Sequence, residues 1–241
     1  MAKTFDFHSH ILPGIDDGSS SVEESVAMLR MESEQGIDCV VATPHFYPNY
    51  DSPERFLARR QRALEKLQEA CAGNTGLPEV KVGAEVYFYS GISDSDVITE
   101  LTIAGKKCIL IEMPAAPWTE SMYRELEKIT IKQGLTPVIA HIDRYIGPFR
   151  TCGIPERLAE MPVIVQANAE FFLRRSTSAM ALRMLREGRI HLLGSDAHNL
   201  KDRSPNLGEA MRKIEKKLGA MPMEQMRVLA EEVLYGHHAT V

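Results

Sequence analysis

The amino-acid sequence predicts an α/β protein of the parallel-barrel class, and three observations carry that prediction. Short apolar runs alternate with helical stripes seven times, no Pro/Gly-rich linker divides the chain into blocks, and all but one of the runs end in a His, Asp or Glu. Strands alternating with amphipathic helices bury a parallel sheet beneath those helices. In parallel barrels the carboxyl ends of the strands share one mouth, where chemistry collects. With 241 residues, 44% of them hydrophobic, the chain is long enough to bury such a core as one domain over 1–241.

The first run, Phe5-Asp6-Phe7-His8-Ser9-His10, reads as a buried strand. Alternation places His8 and His10 on one face, about 7 Å apart. Alone, the pair is open between two polar residues at a strand end and two ligands of one metal. A turn with Asp16-Asp17-Gly18 follows, then a capping box at Ser21-Val22-Glu23-Glu24 and a helix with Val22, Val26 and Leu29 on one stripe, stopped by Gly36. The second run, 37–43, ends in Pro44-His45, and a charged amphipathic helix is expected from Pro53 to Ala70. Turn residues 73–78 lead into a third strand, 80–87, with Glu85 near its end. Residues 90 to 107 show no clear period beyond a short helix around Asp96 to Leu101.

Cys108 to Glu112 is the fourth strand, followed by a helix from Trp118 to Gln133 that Gly134 closes. Thr136 to His141 is the fifth, with Arg144 three positions beyond it. A brief helix over Pro155 to Met161 precedes the sixth strand, Val163 to Asn168, which is the one without an acidic or imidazole end. A helix over Ser176 to Glu187 leads to the seventh, Ile190 to Asp196, followed by His198 and Arg203. Helices near 206–218 and 223–235 finish the pattern.

Composition removes several classes of function. The formal charge is −5 and no long block of like charge occurs, which argues against an extended nucleic-acid surface. No stretch approaches 18 consecutive apolar residues and nothing resembles a signal peptide, so membrane insertion is not expected. Cys39, Cys71, Cys108 and Cys152 are widely spaced, as in a reducing cytoplasmic chain. The Cys-x5-Arg phosphate loop of thiol phosphatases is absent, because His45, Leu77, Pro114 and Leu158 stand where its arginine would be.

His8, His10, Asp17, His45, Glu85, Glu112, His141, Asp196 and His198 therefore converge on one mouth. Five imidazoles and four carboxylates so gathered need cations, since clustered carboxylates repel and buried charges need partners. Nine donors exceed the needs of one transition metal, which points to two or three ions with a bridging carboxylate. Nitrogen and oxygen donors without sulfur suit Mn, Fe, Zn or Co and do not choose among them. A water bridging two such ions loses its proton near neutral pH and can attack phosphorus. A phenolate leaving group, with a pKa of about 10, needs little help from an acid; Asp143 or a site histidine is the nearest candidate. Phe46, Tyr47, Tyr87 and Trp118 fall near the mouth, where packing is their default role and stacking on a substrate ring the alternative. His191 starts a strand at the opposite end, and His237 and His238 lie in a tail, so none belongs to the site.

Asp6-Phe7-His8-Ser9-His10, Asp16-Asp17-Gly18, Thr43-Pro44-His45, Gly83-Ala84-Glu85, Ile111-Glu112, Ala140-His141-Ile142-Asp143-Arg144-Tyr145 and Ser195-Asp196-Ala197-His198 resemble, in order, the motifs of the PHP (polymerase and histidinol phosphatase) superfamily. The chain most closely resembles its bacterial metal-dependent protein tyrosine phosphatases of capsular and exopolysaccharide synthesis, the CpsB/CapC/YwqE type, over about residues 4–235. The resemblance implies a distorted (β/α)7 barrel holding three divalent ions, manganese foremost. One ion would take His8, His10, Glu85 and Asp196, a second Glu85, Glu112 and His141, and a third Asp17, His45 and His198. It prefers Asp17 to Asp16, which the residues alone do not separate. Arg144 and Arg203 would grip the phosphate. The substrate implied is protein phosphotyrosine, on a tyrosine kinase of polysaccharide export. The alternatives are a small phosphate such as histidinol phosphate, a nucleotide end, or a noncatalytic metal-stabilised module.

Overall fold

Every expected strand forms, but the second and third are each broken in two, and the breaks shape the barrel. In the computed structural model, which describes residues 3–147 and 153–236, β1 (Phe5–Ser9) is followed by α1 (Val22–Glu34), β2 (Cys39–Ala42) and β3 (His45–Phe46). Cys152, His237 and His238 lie outside the described residues. Then come α2 (Pro53–Cys71), β4 (Glu79–Val82), β5 (Glu85–Tyr87), β6 (Cys108–Glu112), α3 (Glu120–Lys128) and β7 (Thr136–Ile139). The remainder is α4 (Asp143–Ile146), α5 (Ile154–Leu158), β8 (Ile164–Asn168), α6 (Ala169–Leu173), α7 (Ser178–Arg186), β9 (Leu192–Gly194), α8 (Leu207–Leu218) and α9 (Met221–Tyr235).

All strand pairs are parallel, in two sheets ordered β1-β2-β4 and β3-β5-β6-β7-β8-β9. The sheets meet between β1 and β9, where Asp196 N donates to His8 O at 2.7 Å and His10 N to Ala197 O at 2.8 Å. The result is a curled parallel sheet in two parts, the distorted barrel expected. Its breaks fall at Thr43-Pro44, where proline removes a ladder donor, and at Gly83-Ala84. A Cβ on Gly83 would lie 3.3 Å from Ile103 Cα, because short 3-10 turns at Ile92–Asp94, Asp96–Leu101 and Ile103–Gly105 fill residues 92–105 and press against this bend. The single helix expected around Asp96 is thus one of three tight turns. Its extent, Asp96–Leu101, is as expected; the two flanking turns escaped because 3-10 turns have no 3.6-residue stripe.

The helix signals held closely. Ser21 caps α1 by accepting from Glu24 N at 3.2 Å, although the Glu24 carboxylate turns to Ser20 instead of completing a capping box. The helix expected to run to Gln133 continues past α3 as a π turn over Ile129–Gln133, and Gly134 closes it at φ 63°. Short helices α4 and α6 were not foreseen; each is barely a turn and shows no repeating stripe.

Strand alternation sorts the core. Along β6, Ile109 and Ile111 pack outward beneath the helices with Phe56, Leu67 and Leu126, while Leu110 joins an inner cluster with Phe5, Phe7, Val41, Val138 and Leu192. In β1 the register slips by one residue between Asp6 and Ser9. This bulge resets the alternation, so that Phe5 and Phe7 floor the barrel and the next pair, His8 and His10, reaches the mouth.

His191 serves the ladder: its N–H donates to Val165 O at 2.8 Å and its Nδ1 accepts from Val165 N at 2.9 Å. Burial pushes the thiols of Cys39 and Cys108 up to about 12 and about 11, so neither is a ready nucleophile. Among the described residues no helix is long and apolar enough to cross a membrane.

Candidate metal centre

All nine predicted donors stand at the carboxyl-end mouth. Buried at its centre, Glu85 has its Oε2 3.4 Å from His8 Nε2, 3.4 Å from His10 Nε2 and 2.8 Å from His45 Nδ1, and its Oε1 2.7 Å from His141 Nε2. Asp196 Oδ1 lies 3.6 Å from His8 Nε2 and 3.5 Å from His10 Nε2. Asp17 Oδ1 lies 3.4 Å from His45 Nε2 and 3.6 Å from His198 Nε2. Glu112 reaches His141 Nε2 at 3.7 Å and His45 Nδ1 at 4.0 Å.

Among the described residues, three sets bring their donor atoms within 4.8 Å of one another: His8, His10 and Glu85; His10, Asp17, His45 and His198; and His45, Glu85 and Glu112. They overlap the partition the family resemblance implies, with His10 and His45 each shared between two sets and Glu85 bridging two. His141 lies against Glu85 and Glu112, and Asp196 against His8 and His10, at the distances above.

These residues fit cations on a structural ground. Among the described residues, buried Asp196 Oδ1 and His198 Nε2 have no hydrogen-bond partner, and buried Glu85 Oε2 and His45 Nδ1, although 2.8 Å apart, are not aligned to hydrogen-bond each other. Orphaned buried acceptors are costly, and donors about 3–3.5 Å apart are spaced as they would be around one ion at bonds of about 2.0–2.2 Å. The electrostatics agree. Burial would push Glu85 up, but His8, with His10, His141 and His45, holds its carboxyl well below the usual range. Burial opposes charge on His10, yet Asp16, Asp196 and Glu85 raise it well above an ordinary histidine. Burial and then His10 lower His198 to about 4, which leaves that ring a free lone pair. The pocket draws positive charge, and it offers neutral imidazole and carboxylate to bind it.

Backbone features hold the donors in place. His141 and Asp196 both adopt left-handed backbone, φ 32° and 54°, which is uncommon for residues with a Cβ and turns each side chain out of its strand end. Gly194 lets β9 close on β1, since a Cβ there would come within 2.5 Å of His8 Cβ; at Gly18 it would come within 2.3 Å of His10 O.

Sequence reasoning missed the residues that orient the donors. Asp16 is half-buried, its side chain turned inward, and takes no place among the donor sets; its Oδ2 accepts from His10 Nδ1 at 2.8 Å and from His45 N at 3.0 Å. Asp17, its side chain 66% exposed, faces the mouth. The sixth strand, which lacked an ionisable end, supplies amides: Gln166 Oε1 accepts from His141 N at 2.6 Å, Gln166 Nε2 donates to Asn168 Oδ1 at 3.1 Å, and Asn168 Nδ2 donates to Asp196 Oδ2 at 2.9 Å. The Gln-x-Asn spacing at a strand end was the available signal. Asp6 Oδ1 accepts from His8 N at 3.1 Å and from Ser195 N at 2.9 Å, clamping the bulge to the strand opposite.

Arg144 donates to Glu112 Oε1 at 3.3 Å, and Arg144 Nη2 and Arg203 Nη2 lie 2.6 Å and 2.8 Å from Asp196 Oδ2, so both guanidiniums overhang the mouth while remaining partly exposed. Asp143 Oδ1 accepts from Asn168 N at 3.0 Å, and burial pushes its carboxyl up. Phe46 and Trp118 pack in the core, whereas Tyr47 stacks on His45 with ring centroids 5.1 Å apart.

Nitrogen and oxygen donors gathered at the mouth of a parallel barrel, beneath two arginines, define a class: parallel-barrel proteins with a candidate metal centre under an arginine-lined rim. Comparison with known proteins narrows it. The chain belongs to the family described as Capsular polysaccharide synthesis, CpsB/CapC, whose model matches residues 4–234. It is 29% identical to the tyrosine-protein phosphatase CpsB of Streptococcus pneumoniae, over 92% of this chain and 94% of that one. It is also 29% identical to the tyrosine-protein phosphatase YwqE of Bacillus subtilis, over 89% and 85%. Crystallographic work on YwqE and CpsB describes them as unique metal-dependent tyrosine phosphatases, and the structure from it matches this one with a TM-score of 0.84 and 26% identity, over 98% of this chain and 96% of that chain. An inactive dihydroorotase-like domain from Chaetomium thermophilum, 8% identical with a TM-score of 0.54, shares the fold alone.

Proposed function

We propose that this protein is a metal-dependent protein tyrosine phosphatase, with phosphotyrosine on a polysaccharide-export tyrosine kinase as its substrate. The observation that supports this most is the joint placement of nine nitrogen and oxygen donors below Arg144 and Arg203, in a chain whose family relatives are named tyrosine phosphatases. His8, His10, Glu85 and Asp196, then Glu85, Glu112 and His141, then Asp17, His45 and His198 would hold three divalent ions, with manganese the first choice and a cytoplasmic setting expected. When bound, such ions lower the pKa of a water for attack and neutralise phosphate charge.

The remaining work belongs to the chain. Arg144 and Arg203 now share Asp196 Oδ2, and a phosphate placed at the mouth would take their outward N–H groups in charge-assisted hydrogen bonds. Asn168 would keep Asp196 Oδ2 satisfied as the arginines turn. Asp16 fixes which nitrogen of His10 faces the mouth, through the bond at Nδ1. Gln166 and Asp6 hold the backbones that carry His141 and His8. No acid need protonate a phenolate that leaves with a pKa of about 10.

The test compares kcat/KM on a phosphotyrosyl peptide, histidinol phosphate and a dinucleotide, with divalent metal and with chelator. The phosphotyrosyl peptide should be favoured by at least about tenfold, an advantage of roughly 1.4 kcal/mol, and only with metal. Preference for either of the others would replace the substrate named here.

A further inference from the structure

We infer that the cavity formed beside His45 by Tyr47 and Tyr50 seats the aromatic ring of the substrate, and that it sets a preference for aryl over alkyl phosphates. The inference rests on the phosphotyrosine reading above. Among the described residues, two cavities beside the donor cluster differ in chemistry. One, of about 370 Å³, is lined by Arg144, Arg174, Arg203, Asn168 and Asp202, with Phe171 as the one aromatic residue among the described lining. Phe171 is only 3% exposed, so that wall is polar and charged, made of guanidinium, carboxylate and amide groups. The other, of about 530 Å³, is lined by Ile15, Asp17, His45, Tyr47, Tyr50 and Arg59.

The second cavity carries an aromatic path from solvent to the donors. Tyr50 is 87% exposed and meets Tyr47 edge-on, with centroids 6.4 Å apart at 84°. Tyr47 in turn stacks on His45 at 27° and lies 5.6 Å from Tyr87. An 87%-exposed tyrosine contributes little to the fold, whereas its position at the rim gives a phenyl ring an edge-to-face partner. The cavity wall is preset. Arg59 of α2 donates to Ile15 O at 3.0 Å and pairs with Asp51, tying the loop after β1 to the loop after β3.

The division of labour follows from the shape of the substrate. With its phosphate beneath Arg144 and Arg203, on the Asp196 side, the ester bond has the His45 and Asp17 side left to extend along. A phenyl ring going that way meets tyrosine faces and edges. A serine or threonine phosphate, lacking a ring, leaves that space wet.

The test uses the metal-loaded full chain and the variants Tyr50→Ala and Tyr50→Phe, with a phosphotyrosyl peptide, the same peptide carrying phosphoserine, and inorganic phosphate as a competitive inhibitor. Tyr50→Ala should raise KM for the phosphotyrosyl peptide roughly tenfold, the loss of one aromatic contact. Tyr50→Phe should restore it, and the inhibition constant of phosphate should stay within twofold of wild type. An unchanged KM in Tyr50→Ala overturns the ring seat, as does an equal weakening of phosphate inhibition, which would mean that Tyr50 acts through the metal centre. Wild-type protein unable to hydrolyse the phosphotyrosyl peptide overturns the substrate reading as well, so the two failures are distinguishable.

Discussion

Arg144 Nη2 lies 2.6 Å from Asp196 Oδ2, and this contact divides the Asp196 carboxylate between two tasks. Oδ2 takes Arg144, Arg203 and Asn168, leaving Oδ1 directed at His8 and His10 without a hydrogen bond of its own. One carboxylate therefore links the two arginines proposed to grip phosphate to the donor cluster. Charge-assisted hydrogen bonds contribute about 1.5–3 kcal/mol each. Arg144→Ala should lower kcat/KM for a phosphotyrosyl peptide by about 10- to 100-fold and weaken inhibition by inorganic phosphate in step. Steady-state kinetics check both, and a full loss of activity with unchanged phosphate inhibition would remove Arg144 from the grip.

The adjacent aspartates should separate by experiment. Asp16 belongs to none of the candidate donor sets but holds His10 Nδ1, whereas Asp17 faces His45 and His198. Orienting partners of ligand histidines typically account for about 10–100-fold in metal affinity. Asp16→Asn should therefore need more metal for half-maximal activity and recover at saturation, while Asp17→Asn should stay impaired at saturation. Metal titrations of activity distinguish them; identical curves for the two variants would contradict these roles.

The convergence of most of these side chains on one mouth was legible because they close apolar runs, and a polar residue at the end of a buried strand stands out against its neighbours. His45, Glu85 and Glu112 could be placed at one mouth from that pattern alone. Which of Asp16 and Asp17 faces inward was not legible, since neighbouring residues in a turn carry no alternation. The broken strands were equally hidden: Thr43-Pro44 closes the second run without marking a further strand at His45, and the bend at Gly83, inside the third, depends on the distant Ile103. Gln166 and Asn168 escaped because amides are ordinary in strands until their partners, His141 and Asp196, are seen beside them.

Glu32 gives a pH prediction. It is fully buried on α1, and burial, then the charge of Asp6, raises its carboxyl well above the ordinary 4.5. The folded chain thus keeps a proton that the unfolded chain releases near its ordinary pKa. The associated stability is complete below the unfolded value and is lost as pH rises toward the folded value. Glu32→Gln, which keeps the shape and removes the titration, should flatten this decline. Urea unfolding of both proteins at pH 5 and pH 8 should show wild type losing ground to the variant at the higher pH; parallel changes would contradict it.

Removing metal should also cost stability, because buried donors such as Glu85 Oε2 and Asp196 Oδ1 lose their partners. At a free metal concentration of 100 times Kd the linkage amounts to about 2.7 kcal/mol. A chelator should lower Tm, and added Mn²⁺ should raise it in a concentration-dependent way. A Tm indifferent to both would argue that the donors hold no ion in the folded protein.

The central claim is that hydrolysis of phosphotyrosine happens at the donor cluster and requires the ions it holds. The most direct measurement is phosphate release from a phosphotyrosyl peptide by chelator-stripped protein, titrated with Mn²⁺ while bound metal is counted per chain. Activity should be absent in stripped protein and rise in proportion to bound metal. Full activity in protein shown to contain no metal would contradict the account.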